Sequence, residues 1–259
     1  MRILPVVLSL ILSSTTALAA TPSHRAKAAH IPDFLQTDRE AGFANSGTQF
    51  CAPTAVSNSL VWLAAHGYDD LSPAGGDKRA QITMIRELSK AMNTSPSIGT
   101  DATQLLKGVE AYVTDAGYSI AELSHEGWRP VPEDYRAGEF PDLDDIRNAI
   151  ADAQSAVWLN VGWYTYDEDS GDYLRTGGHW VTVVGYIGDD LLIHDPSPLA
   201  GSTFRTQQIS LEELTEGRLT GKQANLPRDA AGYYEVGGQM AVGTGKTCIL
   251  DGAVFLRLE

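Results

Sequence analysis

The stretch Gln49-Phe50-Cys51-Ala52-Pro53-Thr54-Ala55 decides what fold we expect for the whole chain. Pro53 favours the first turn of a helix, and apolar residues then recur at the helical period until Gly67: Val56, Leu60, Leu63 and Ala64. The pattern therefore places the thiol of Cys51 at a helix N-terminus. The aligned peptide dipoles stabilise negative charge there, and a thiol is a nucleophile only as the thiolate.

Two motifs far downstream supply the partners that a reactive thiol needs. They are Gly177-Gly178-His179-Trp180-Val181-Thr182-Val183-Val184-Gly185-Tyr186 and Asp195-Pro196. His179 begins one predicted strand and Asp195 ends the next, and neighbouring strands of a hairpin bring their side chains within hydrogen-bond reach. We therefore expect Cys51 to be a nucleophile, His179 its base and then acid, and Asp195 the group that orients the imidazole.

Acyl transfer through a thiol also requires hydrogen-bond donors for the oxyanion that forms on the substrate carbonyl. The backbone N–H of Cys51 can be one donor. A side-chain amide upstream can be the second, and such a donor contributes about 10²–10³ in rate. Two residues have the right type, Gln49 and Asn45, and the sequence alone does not choose between them.

The remaining periodicity predicts helices first and strands later. Beyond the cysteine helix, we expect helices over 78–92, over 143–154, and between an N-cap at Thr100 and a stop at Gly117. The predicted strands span residues 156–164, 180–187, 191–194, 204–209 and 249–258, with a short helix over 210–214. No linker divides residues 33–259, so we expect one α+β domain with a mostly antiparallel sheet.

The first nineteen residues have the features of a secretory signal peptide. Met1-Arg2 is a short basic start, residues 3–12 are apolar, and Ala17-Leu18-Ala19 forms a small-x-small cleavage site. The apolar run is shorter than the ~20 residues that a bilayer span requires. We expect cleavage after about Ala19, a secreted or periplasmic protein without a membrane span in the mature chain, and a mobile N-terminus over residues 20–32.

Charge and composition limit the classes of partner. The formal net charge of −14 disfavours nucleic acid and anionic membrane surfaces. A peptide or protein substrate is the expected partner, and nothing in the sequence indicates a metal, a nucleotide or an organic cofactor.

The chain has two cysteines, Cys51 and Cys248. In an exported protein an even count is compatible with a disulfide between them. A domain of this size does not need such a bridge in order to fold. Cys248 also begins an apolar, strand-like run, which favours a buried free thiol.

Together, the three motifs resemble the papain-like cysteine peptidases, and among them the C39-like branch of bacterial peptidases that remove double-glycine leaders from bacteriocins. The resemblance covers residues 31–198 and matches Cys51, His179 and Asp195. It implies a papain-like fold, in which the cysteine helix packs on an antiparallel sheet that carries the histidine and the aspartate. Ala52 stands where the branch usually has glycine, and Asn45 where its oxyanion glutamine usually lies.

The sequence thus predicts a secreted cysteine peptidase that hydrolyses peptide or amide bonds through a thioester. Two alternatives remain open at this point. One is an acyl transferase of the same fold, in which an amine replaces water as the acceptor. The other is a catalytically silent binding module, stapled by a bridge between Cys51 and Cys248.

Overall fold

The computed structural model describes residues 21–73, 77–197, 206–221, 227–238, 240 and 245–259. The predicted signal peptide therefore lies outside the described residues, as does the predicted start of a strand at Phe204.

The described residues contain four α-helices: α1 (Cys51–Ala64), α2 (Lys78–Ala91), α3 (Ala102–Asp115) and α4 (Leu143–Ala151). These are the four predicted helices. The predicted N-cap Thr100 is wrong, because Asp101 caps α3 instead. Its Oδ1 accepts from the backbone N–H of Gln104 at 2.8 Å, and Gln104 Oε1 accepts from the N–H of Asp101 at 3.0 Å, so two otherwise unpaired donors are satisfied. Among the described helices, none has the length and apolarity to cross a bilayer.

The described strands belong to one sheet of twelve. They are β1 (Ser23–His24), β2 (Ile120–Gly127), β3 (Arg136–Gly138), β4 (Ser155–Asp167), β5 (Asp172–Ile187), β6 (Asp190–His194), β7 (Gln207–Ile209), β8 (Leu211–Glu213), β9 (Arg218–Thr220), β10 (Arg228–Asp229), β11 (Tyr234–Val236) and β12 (Thr247–Leu258). The order through the centre is β9-β5-β4-β12-β11. Pairing is antiparallel except between β2 and β3 and between β5 and β9. The predicted α+β class is confirmed.

Two local predictions differ from the structure. Residues 211–213 form strand β8, which pairs with β11, where we expected a short helix. Strand β2 lies between α3 and α4, so the chain does not place all of its helices before its strands. In both cases, pairing with a neighbouring strand provides hydrogen-bond partners for the backbone N–H and C=O groups. This pairing outweighs the local sequence preference.

The segment that we expected to be mobile is attached to the sheet over its described part. Ser23 and His24 form β1, which pairs with the end of β5. Lys27 is buried, and its Nζ donates to the carbonyl oxygens of Asp152 and Ser155 at 2.6 Å each. These bonds hold the segment from residue 23 onward against the domain.

Helices cover both faces of the sheet. Helices α1, α2 and α3 pack on one face and α4 on the other, and alternate strand residues point to the two cores. Helix α1 lies inside the first core, with every residue buried except Val61. Thr182 of β5 donates through Oγ1 to the carbonyl oxygen of Ala55 at 2.8 Å. This bond ties the cysteine helix to the strand that carries His179.

Candidate active site

Cys51 is the first residue of α1, as the sequence predicts. The N-cap residue, Phe50, has no side-chain oxygen, so no side chain caps this end of the helix. The free N–H groups and the positive end of the helix dipole therefore remain available to an anion beside the thiol. Cys51 is only 9% exposed, which keeps the thiol at the edge of the solvent.

His179 and Asp195 form a buried pair. His179 Nε2 donates to Asp195 Oδ1 at 2.5 Å, and each side chain is 6% exposed. The same carboxylate oxygen accepts from the backbone N–H of Ser197 at 2.8 Å, which fixes its direction. The pairing of β5 with β6 brings the two residues together, as the hairpin pattern predicts.

The thiol of Cys51 also acts on the imidazole of His179. Cys51 is among the groups that raise the pKa of His179, so the structure brings the three predicted residues together in the order Cys51, His179, Asp195. Burial lowers the pKa of His179, but the charge and hydrogen bond of Asp195, together with Cys51, raise it above its ordinary value of 6.5. The ring is therefore disposed to carry a proton at neutral pH. That proton is what a neighbouring thiolate requires.

The aromatic ring that covers His179 belongs to Trp163. The indole of Trp163 stacks on the His179 ring with centroids 5.8 Å apart and planes inclined by 28°. Trp180, which follows the histidine in sequence, is instead a core residue that donates through Nε1 to the carbonyl oxygen of Thr100 at 3.0 Å. Trp163 is thus the side chain that limits access of water to the imidazole.

The two predicted oxyanion residues have different surroundings. Gln49 is half-buried and lines a small cavity of about 90 Å³ together with Cys51. Asn45 is exposed in a turn with a left-handed φ of 49°. Its Nδ2 donates to Thr48 Oγ1 at 2.9 Å and to the carbonyl oxygen of Pro96 at 3.2 Å. Gln49 therefore shares the cavity with the thiol, whereas Asn45 bonds to Thr48 and Pro96.

Three residues that the sequence analysis did not identify line the same cavity: Asn160, Arg129 and Arg175. Asn160 donates through Nδ2 to the backbone oxygen of His179 at 3.3 Å. Arg175 precedes the Gly-Gly-His motif on β5, so its position in sequence was a usable signal. Nothing in the sequence around Arg129 distinguishes it from a surface arginine.

Asp251 anchors a buried polar cluster beneath the cavity. Its carboxylate is fully buried and accepts from Arg175 Nε at 2.6 Å, from Trp128 Nε1 at 2.9 Å and from the hydroxyl of Tyr164. A buried charge is tolerated only when it is paired and hydrogen-bonded in this way. The cluster fixes the aliphatic stem and the Nε of Arg175.

Two facing glycines make room for this cluster. Gly162 of β4 and Gly178 of β5 are cross-strand partners. A Cβ on Gly178 would lie 1.9 Å from Nη2 of Arg175, and one on Gly162 would lie 2.8 Å from an oxygen of Asp251. Any side chain at position 178 would clash with the guanidinium of Arg175. The arrangement therefore requires a glycine next to His179.

The second cysteine is separate from the site. Both thiols are free, so the interpretation of a bridge between Cys51 and Cys248 is wrong for this structure. Cys248 is fully buried, and burial raises the pKa of its thiol to about 12, which makes it unreactive. Within the described parts of the chain, no three histidine, cysteine or acidic side chains gather in a way that could hold a metal ion.

Comparison with known proteins gives little beyond this geometry. No family model matches the chain, and no curated protein matches it. One solved structure is similar, the crystal structure of a protein designated a C39-like peptidase, from Bacillus anthracis. The match covers 89% of this chain and 96% of that chain, with 11% sequence identity and a TM-score of 0.41. At that identity and TM-score, the likeness carries no argument about function, and the site must be interpreted from its own residues.

Proposed function

We propose that this chain is a secreted cysteine peptidase that hydrolyses peptide bonds through a thioester, with a papain-like arrangement of Cys51, His179 and Asp195. One observation carries the proposal. A thiol at an uncapped helix N-terminus lies close enough to an imidazole to raise its pKa, and a buried carboxylate holds that imidazole at 2.5 Å. The resemblance of the three sequence motifs to the C39-like branch agrees with this assignment, and secretion rests on the signal-peptide pattern alone.

The first half of the reaction forms the acyl-enzyme. The sulfur of Cys51 attacks the scissile carbonyl carbon, and the π electrons of the carbonyl move to its oxygen. The imidazolium of His179 then gives its proton to the leaving amine as the C–N bond breaks. Asp195 keeps the ring oriented throughout, because its carboxylate holds Nε2 and leaves the other ring nitrogen to exchange the proton.

The second half releases the product. Neutral His179 takes a proton from water, whose oxygen attacks the thioester carbon, and the sulfur leaves as thiolate. The product is a carboxylic acid, and the imidazolium is restored. An amine in place of water would give transfer instead of hydrolysis, and product analysis with added amines distinguishes the two outcomes.

A wider cleft adjoins the small cavity and suits an extended chain. It encloses about 710 Å³ and shares Gln49 and the two arginines with the small cavity. Ile98 is 78% exposed and Leu174 50% exposed along its walls. Exposed large apolar side chains around a polar centre are typical of a binding groove. The cleft can therefore hold several residues of a peptide next to the cavity that contains the thiol.

A peptide bearing a thiol-directed electrophile tests the function directly. In the native protein, we expect a peptidyl vinyl sulfone to modify Cys51 alone, because Cys248 is buried and its thiol is protonated. Mass spectrometry of a digest locates the adduct. The unfolded protein, in which both thiols are accessible, is the control. Equal labelling of the two cysteines in the native state, or none at Cys51, would refute the proposed nucleophile.

The oxyanion donor is tested by removing each amide in turn. For Gln49→Ala, we expect kcat to fall about 10²–10³-fold with little change in KM, because the lost donor acts on the transition state. Asn45→Gly is the matched control, since glycine accepts the left-handed backbone at this position. It should hydrolyse peptides at close to the wild-type rate. The reverse pattern would move the oxyanion site to Asn45.

A further inference from the structure

One buried glutamine upstream of the site joins two loops that adjoin members of the proposed triad. Gln36 lies in a turn between β1 and α1 and is only 5% exposed. Its backbone N–H donates to the carbonyl oxygen of Pro196, the residue after Asp195, at 2.9 Å. Its side-chain Nε2 donates to the carbonyl oxygens of Gly47 and Thr48 at 3.0 Å each. One residue therefore connects the loop of the orienting carboxylate with the chain that leads into α1.

The chain that Gln36 holds has an unfavourable backbone conformation. Asn45, Ser46 and Gly47 have φ angles of 49°, 53° and 75°, so three consecutive residues lie in the left-handed region. Two of them are not glycine, and such a conformation persists only where surrounding contacts hold it. Gly47 packs so closely that a Cβ there would lie 1.8 Å from the backbone oxygen of Gln36. The two bonds from Nε2 are therefore among the contacts that keep this turn in place.

The held turn leads directly into the candidate oxyanion donors. The carbonyl oxygen of Gly47 also accepts from the backbone N–H of Phe50, the N-cap of α1, at 3.0 Å. A carbonyl oxygen has two lone pairs, and here Gln36 and Phe50 each donate to this oxygen. Gln49 lies inside the turn that these bonds close, and Cys51 follows it. The positions of the Gln49 side chain and of the Cys51 N–H therefore depend on this turn.

We propose that Gln36 is a positioning residue for peptide hydrolysis, whose side-chain amide fixes the turn before Cys51 and with it the side chain of Gln49 and the N–H of Cys51 as oxyanion donors. The inference rests on the proposed function and adds to it a residue outside the triad. Gln36 lines neither the small cavity nor the wider cleft, so it acts through the residues that it holds. A displacement of about 1 Å in such a group costs roughly 10²-fold in rate.

Replacing Gln36 with methionine removes both side-chain bonds without adding charge. We expect kcat to fall about 10–10²-fold with KM within about twofold of the wild type, because the oxyanion donors act on the transition state. The backbone bond to Pro196 does not depend on the side chain, so the loop of Asp195 should stay in place. Alkylation of Cys51 by iodoacetamide reports the thiolate and should remain within about twofold of the wild-type rate.

The chain offers a matched control in a second buried glutamine. Gln81 is 6% exposed, and its Nε2 donates to Ser57 Oγ at 3.1 Å and to Asn58 Oδ1 at 2.8 Å. Gln81→Met therefore makes the same chemical change between α2 and the middle of α1. It should lower the thermal stability and keep kcat near the wild-type value. An equal loss of kcat in the two variants would mean that Gln36 serves only the stability of the fold.

A double substitution tests whether Gln36 acts through Gln49. Residues that work as a unit depart from additivity. We therefore expect the loss caused by Gln36→Met to be at least about threefold smaller in the Gln49→Ala background than in the wild type. Equal losses in the two backgrounds would show that the two residues act independently, and would overturn the proposed role.

A second variant serves if Gln36→Met does not fold, as judged by circular dichroism. In Gln36→Glu, a neutral carboxyl group can donate one of the two bonds, whereas a carboxylate can donate neither. Its kcat relative to the wild type at the same pH should therefore fall by about tenfold or more as the carboxyl group ionises. A ratio that does not change between pH 4 and pH 8 would count against the role of the donated bonds.

The outcomes separate this proposal from the proposed function. If the wild type cleaves peptides and Gln36→Met does so with the same kcat, the positioning role falls and the peptidase stands. If the wild type cleaves no peptide, the peptidase falls, and hydrogen exchange tests the hold on the turn. The N–H groups of residues 48–51 should exchange about tenfold faster or more in Gln36→Met, and unchanged protection would overturn that hold as well.

Discussion

Replacing Cys51 with alanine should reduce peptide hydrolysis by on the order of 10⁴-fold or more, because the thioester cannot form without the sulfur. The fold should survive. The substitution removes one atom at the first residue of α1, at a cost on the order of 1 kcal/mol. Hydrolysis rates and a thermal unfolding curve of the same preparation give both quantities.

The chain offers a matched control in its other cysteine. Cys248→Ala makes the same chemical change in the core, opposite Trp163 on the neighbouring strand. It should lower stability while keeping turnover near the wild-type value. A protein with Cys51→Ala that still cleaves peptides at the normal rate would rule out the assignment, whatever the behaviour of the control.

Replacing Asp195 with asparagine should both slow the reaction and move its pH profile. The carboxylate and its hydrogen bond raise the pKa of His179 against the effect of burial, so their loss lets burial lower it. The imidazolium that the thiolate needs would then lose its proton at lower pH. We expect kcat/KM to fall by about 10²–10⁴-fold and its alkaline limb to shift toward acid pH. Rates from pH 4 to 11 measure both.

The same pair links pH to stability, with a definite sign. Because the folded pKa of His179 is raised above its ordinary value of 6.5, its contribution to folding is fully present below that value. The contribution is lost as pH rises through the raised pKa.

Asp189→Asn, which affects an exposed partner of Arg147, is the control for Asp195→Asn and should leave the alkaline limb of kcat/KM in place. An unmoved limb in Asp195→Asn would mean that this carboxylate does not set the charge on the ring.

The positions of the candidate site residues could be predicted where chemistry and secondary structure point to the same residue. Pro53 places Cys51 at the start of a helix. His179 and Asp195 lie at the ends of two strands of one hairpin, so their side chains can come close together. The four helices could be predicted because apolar residues recur along them at the helical period. Strand β2 carried no such signal, because its sequence Ile-Ala-Glu-Leu-Ser-His-Glu-Gly has one β-branched residue, Ile120, and no Phe, Tyr or Trp. Its pairing with β12 is a long-range contact.

The surroundings of the triad were less predictable. Trp163 and Trp180 are equally plausible partners of the histidine in sequence, and only the pairing of β4 with β5 places Trp163 over the ring. Gln49 and Asn45 are four residues apart, and only the structure shows that Gln49 lines the cavity with Cys51 while Asn45 lies in an exposed turn. Arg129 reaches the cavity from the segment that follows β2. Such proximities depend on tertiary packing, which no local pattern encodes.

The hollow between Gly162 and Gly178 has a consequence for how this protein can change. The ion pair of Arg175 and Asp251 fills the space that two methyl groups would take. One added carbon at Gly178, next to His179, would push the guanidinium of Arg175 aside. A substitution at Gly178 would therefore reshape the wall of the cavity that contains Cys51, although the position itself carries no functional group.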